Sequence, residues 1–117
     1  MKDERALKVF VVVLKKAAAG VLPWQPSKFE NIFEFKMPSG FLVRAYPYTS
    51  LDDDGDRIGA ASLTLYDAAE ELIFDITSDI DGVTVEGLEI IYREARRVAL
   101  QVDAKLDAIA RDLEELK

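Results

Sequence analysis

VEGLEIIYREARRVALQVDAKLDAIARDLEEL, residues 85–116, is the stretch whose reading decides the architecture. Its apolar residues recur at steps of three and four. Val85, Tyr92, Ala99, Leu106 and Leu113 form one set; Leu88, Ala95, Val102, Ile109 and Leu116 form the other. That spacing lays both sets along one stripe of an α-helix. Thr84 is a suitable N-cap, and Glu86 sits where the helix dipole favours an acid. The pattern predicts one uninterrupted helix, roughly 50 Å long at about 1.5 Å per residue. The stripe is not uniform. Ile91 and Val98 widen it in the first half, as expected for a helix lying on a sheet. Lys105 and Asp112 hold the equivalent positions in the second half, which narrows to a coiled-coil-like seam of Leu106, Ile109, Leu113 and Leu116. The first half is therefore expected to cover the domain's own core. The second half is expected either to pair with the N-terminal helix or to pack on a second copy.

Upstream, the period changes from helical to two. Phe33, Phe35 and Met37 alternate with Ile32, Glu34 and Lys36; Phe41, Val43 and Ala45 alternate with Leu42, Arg44 and Tyr46. Met37-Pro38-Ser39-Gly40 between them supplies turn residues, so the segment predicts a hairpin. A second hairpin follows. Ala61, Leu63 and Leu65 alternate with Ser62, Thr64 and Tyr66, and Leu72, Phe74 and Ile76 alternate with Ile73 and Asp75. Its turn, Asp67-Ala68-Ala69-Glu70, has no Gly, which leaves a single helical turn open there. The polar stretch 49–57 reads as a connecting loop.

Residues 3–19 read as a helix, with acids at its start and Lys15 and Lys16 near its end. Leu7, Phe10, Val11, Leu14 and Ala18 share the expected buried face, and Gly20 is the expected stop. The β-branched run Val11-Val12-Val13 is the counter-signal, and leaves a buried strand over 8–14 as the alternative. Pro23-Trp24-Gln25-Pro26 reads as a rigid connector. The order is α-β-β-β-β-α. It predicts a single α+β domain over residues 1–117: a two-layer, four-stranded antiparallel meander covered on one face by an N-terminal helix and a long C-terminal helix.

Composition narrows the chemistry. The 117 residues include no Cys and no His, which excludes thiolate nucleophiles, Cys/His zinc sites and His-based triads. The net charge of -7 disfavours nucleic acid and anionic lipid as partners. The apolar run Val9–Leu14 is too short to span a membrane and too short for a leader's core. The chain is read as cytoplasmic, with no cofactor and no metal.

Each cluster that could carry chemistry has a plainer reading. Asp52, Asp54, Gly55 and Asp56 resemble part of a calcium loop counted from Ser50. The twelfth position is Ala61, where such a loop needs a Glu, so an acidic connector is the better reading. Arg93, Arg96 and Arg97 form a basic cluster that reads as a solvated face paired with Glu89, Glu94 or Asp103. Trp24 reads as a cap on the core rather than a binding platform. Tyr46, Tyr48 and Tyr66 could line a groove, but tyrosines suit half-buried strands without a functional reason.

The segment Ala19–Trp24, then Leu63-Thr64-Leu65-Tyr66-Asp67 and Glu71-Leu72-Ile73, and above all Ile91–Asp107, resemble a widespread group of small bacterial proteins of unknown function. In that group an initial helix ends in a Gly and a Trp, and a final helix carries a Tyr, an Arg pair and a Val-Asp followed by a Leu. The chain departs at Asp67–Glu70, where the group usually has a Gly. The resemblance implies the same order of elements and a bacterial cytoplasmic setting, and no site residue.

The reading favours a non-enzymatic protein–protein interaction or accessory module that self-associates, as a dimer, or binds another protein. Its expected interface is Leu106, Ile109, Leu113 and Leu116, helped by Tyr46 and Tyr66 on the outer face of the sheet. The alternative is a small-ligand-binding domain or carboxylate-based enzyme, which requires a deep pocket holding several of Glu34, Arg44, Tyr66 and Asp75.

Overall fold

The fold is taken from a computed structural model, which describes residues 2–47, 50–51, 53–55, 57–58 and 61–116. Helix α1 is Glu4–Ala18, and the Asp3 side chain caps it by accepting from the amides of Arg5 and Ala6. It ends in a Schellman arrangement. Gly20 takes a left-handed φ of 72°, and the amides of Val21 and Gly20 bond back to the carbonyls of Lys16 and Ala17. The buried face is Ala6, Phe10, Val13 and Ala17, rotated from the expected one, and Val11 is exposed. The run Val9–Leu14 is apolar all round, so no polar residue within it fixes the phase.

Five strands form the main sheet, in the order β1-β2-β3-β6-β7: β1 Gln25–Pro26, β2 Phe33–Lys36, β3 Leu42–Tyr46, β6 Ser62–Tyr66 and β7 Leu72–Ile76. All its pairings are antiparallel. The expected four-stranded meander is present, but the sheet has a fifth strand. β1 lies in the supposed connector, at an edge, where the missing N–H of Pro26 is tolerated. The connection from β3 to β6 carries a separate two-stranded ribbon, β4 Ser50–Leu51 and β5 Arg57–Ile58, in a stretch expected to be loop. The first hairpin turns at Gly40, with φ of 99°.

The second hairpin does without a glycine. The Asp67 carboxylate accepts from the amides of Ala69 and Glu71, and Glu70 itself adopts a left-handed φ of 63°. The register shifts between Leu65 and Tyr66, so Leu72 pairs with the outward-facing Tyr66. Leu72 is 59% exposed for that reason, instead of lying in the core with Phe74 and Ile76.

The C-terminal stretch is two helices. α2 is Val85–Ala99, capped by Thr84, whose hydroxyl accepts from the Gly87 amide at 3.0 Å. α3 is Val102–Glu115. Gln101 breaks the expected single rod with a φ of 53°, in the position that Gly20 occupies after α1, and its amide bonds back to the Val98 carbonyl. Across the break, Arg97 Nη1 lies 2.9 Å from Asp103 Oδ1. In a straight helix six residues would separate these groups by about 9 Å along the axis and turn them to different faces.

α2 lies on the inner face of the sheet with α1 beside it. Phe10, Val13 and Ala17 join Leu88, Ile91 and Ala95 over Phe33, Phe35, Val43, Ala45, Leu63 and Ile76 in one core. Trp24 closes its edge, with its ring 4.7 Å from Phe35 in an edge-on contact. α3 buries none of its residues. The alternative that seats it against α1 within the chain therefore gives way to a helix standing off the domain. The radius of gyration is 16.1 Å, against about 13 Å for a compact chain of this length.

Candidate functional site

Two surfaces hold the expected site residues. The first is α3. Leu106, Ile109, Leu113 and Leu116 are 57%, 53%, 61% and 73% exposed, and the first three follow one another at steps of three and four along the helix. They leave a run of large aliphatic side chains in water along one face of the helix and just past its end. Asp103, Lys105, Asp107, Arg111 and Asp112 are interspersed with it, and Glu114 and Glu115 close the helix.

The second is the outer face of the sheet. The register sets Glu34 opposite Arg44, Arg44 opposite Thr64, and Thr64 opposite Asp75, one polar row across four strands. Arg44 is only 5% exposed. Its Nε lies 3.0 Å from Glu34 Oε1, and its guanidinium lies 4.8 Å from the centre of the Tyr66 ring and 5.4 Å from that of Phe29. Glu70, in its left-handed turn, reaches both Arg44 Nη2, at 3.7 Å, and Lys28 Nζ, at 3.5 Å. Thr64 Oγ1 donates to Asp75 Oδ1 at 2.9 Å.

Tyr46 and Tyr66 meet hydroxyl to hydroxyl at 2.7 Å. The segment that carries Phe29 over Arg44 runs from β1 to β2. It is shaped by Ser27, whose hydroxyl accepts from the Phe29 amide, and by Asn31 at φ of 61°. No role for Phe29 was readable in the sequence, because nothing in its local pattern places it over another strand.

Burial lowers the affinity of the Arg44 guanidinium for its proton. The hydrogen bonds to Glu34 and Tyr66 and the charge of Glu34 outweigh this and hold it above its ordinary value. Tyr46 is pushed up to about 12, first by burial and then by its hydroxyl bond to Tyr66, with Arg44 pulling weakly the other way. Because this folded value is raised, the stability that the Tyr46 proton contributes is fully present below about pH 10, its unfolded value, and is lost as pH rises through about 12. A spectrophotometric titration is expected to show one phenolate forming near pH 12, and Tyr46→Phe is expected to remove that step.

Glu34 and Arg44 thus pair with each other, Asp75 with Thr64 and Tyr66 with Tyr46, and the four do not line a common pocket. The neighbouring cleft, about 470 Å³, is lined by Glu30, Asn31, Ile32, Tyr46, Pro47, Tyr92 and Arg96. One wall is tied down by the Tyr92 hydroxyl, which donates to the Asn31 carbonyl at 2.7 Å. Of the arginine cluster, Arg97 pairs with Asp103 as expected, and Glu89 instead accepts the Ala61 amide at 3.1 Å.

No group of three His, Cys, Asp or Glu is placed to hold a metal among the described residues. Asp52 and Asp56 of the calcium-like stretch, and Tyr48, lie outside the described residues. No described helix is long and apolar enough to cross a membrane. No protein family, curated protein or solved structure matches this chain.

Proposed function

We propose that this chain is a non-enzymatic protein–protein interaction module, accessory or regulatory in role, that self-associates through its C-terminal helix. The observation that carries the reading is the exposure of Leu106, Ile109 and Leu113 on a helix that buries none of its own residues, with Leu116 exposed just past its end. A helix of 14 residues is marginal in isolation, and an apolar face on a partner supplies the packing that holds it. The sheet network weighs against the ligand-binding or carboxylate-enzyme reading, because its acids and tyrosines already have partners. The cytoplasmic setting and the kinship to the small bacterial group belong to the same proposal; the latter rests on residues 91–107 above all.

The test is light scattering on the wild type and on Leu106→Glu with Leu113→Glu. The wild type is expected to dimerise at tens of micromolar. The double variant is expected to stay folded by circular dichroism and to be monomeric, since both positions are exposed. A folded variant with the wild-type mass would sink the reading.

A further inference from the structure

Resting on that self-association, we infer that α3 pairs with α3 of a second copy in an antiparallel orientation and in one register. The seam Val102, Leu106, Ile109, Leu113 has steps of four, three and four, and so reads the same in both directions about the midpoint between Asp107 and Ala108. A two-fold axis at that midpoint sets Leu106 against the partner's Ile109 and Val102 against the partner's Leu113. By symmetry this makes four apolar layers with no polar residue in them.

The charges select the same arrangement. Lys105 and Asp112 each precede a seam leucine by one residue, on one flank of the stripe. Antiparallel helices face each other flank to like flank, so Lys105 meets the partner's Asp112, and symmetry makes the pair twice. The other flank sets Asp103 against the partner's Ala110, with no like charges in contact. Neither Lys105 nor Asp112 has an ion pair within the described chain.

A parallel pair fits less well. It would set Lys105 against Ala110, leaving that charge without a partner across the pair. It would also stack Val102 and Ile109 on their own copies at the positions where parallel dimers favour Leu, with Leu106 and Leu113 where they favour β-branched residues. The helix dipoles oppose it too. Four layers cover roughly 1,000 Å², the lower bound for a specific interface.

The test reverses the charges. By sedimentation equilibrium, Lys105→Asp and Asp112→Lys are each expected to weaken dimerisation about tenfold, and the double reversal to restore it. In this cysteine-free chain, Val102→Cys with Leu113→Cys is expected to form a covalent dimer on oxidation, whereas Leu113→Cys alone is not. Efficient cross-linking by Leu113→Cys alone, or a double reversal no tighter than the single ones, overturns the antiparallel register while leaving self-association standing. A monomeric wild type, or a dimer indifferent to Leu106→Glu with Leu113→Glu, overturns both.

Discussion

Arg44→Ala is expected to lower the stability of the fold by about 3 kcal/mol, the low end for removing one partner of a buried ion pair. The loss comes from what remains. The Glu34 carboxylate, with its side chain only 17% exposed, would keep its desolvation and lose its charge partner. The Phe29 and Tyr66 rings would lose the guanidinium between them. For a chain of this size the midpoint of thermal unfolding is expected to fall by roughly 10 °C. Arg44→Met combined with Glu34→Met is expected to recover most of it, because the cost belongs to the orphaned charge and not to the missing pair. A melt of Arg44→Ala within a degree or two of wild type would mean that the row Glu34–Arg44–Thr64–Asp75 is solvated and contributes little.

Gly87→Ala is the second large effect, expected at about 2 kcal/mol of destabilisation despite the better helix propensity of Ala, which alone would contribute about 1 kcal/mol in its favour. Gly87 is buried in the first turn of α2, where α1 crosses it. A Cβ there would run into Phe10 Cζ and would lie 2.9 Å from Thr84 Oγ1 and 3.2 Å from Leu14 Cδ2. Phe10 is held in the core, and Thr84 is the helix cap, so neither can yield without cost. Pairing the variant with Phe10→Leu is expected to recover part of the loss. Chemical denaturation of the two variants checks the prediction, and a Gly87→Ala protein as stable as wild type would contradict the close crossing.

The sequence carried the elements whose signals are local. Asp3 and Thr84 start helices through their side chains, Gly20 ends α1 through its left-handed backbone, and the alternation of Phe33, Phe35, Val43, Ala45 and Leu63 marks the core face of the sheet. The misses are places where a residue does an unaccustomed task. Gln101 holds a left-handed conformation usually left to Gly, so the break after Ala99 could not be seen from composition; the turn at Asp67–Glu70 was placed, but not the left-handed Glu70 that closes it. The register shift at Leu65 and Tyr66 moved Leu72 to the outer face, which an alternating pattern cannot foretell.

The candidate site divides along the same line. The α3 stripe was legible because helical periodicity is a local property, and it stands exposed as a contact surface would. Tyr46 and Tyr66 were expected to help form the interface. In the fold their hydroxyls bond to each other, and the Tyr66 ring lies over Arg44. Their roles depend on cross-strand register and on Phe29 arriving from another loop, neither of which one strand's pattern contains.

The proposed function requires α3 to have a partner in a second copy. Sedimentation equilibrium of the unmodified protein between about 1 and 200 µM decides it most directly, since weak associations sit at the small end of interface sizes. A self-associating α3 gives a reversible rise from the chain mass of 13.1 kDa to twice that value, lost in the folded Leu106→Glu, Leu113→Glu variant. A mass that stays at one chain over the whole range would contradict it.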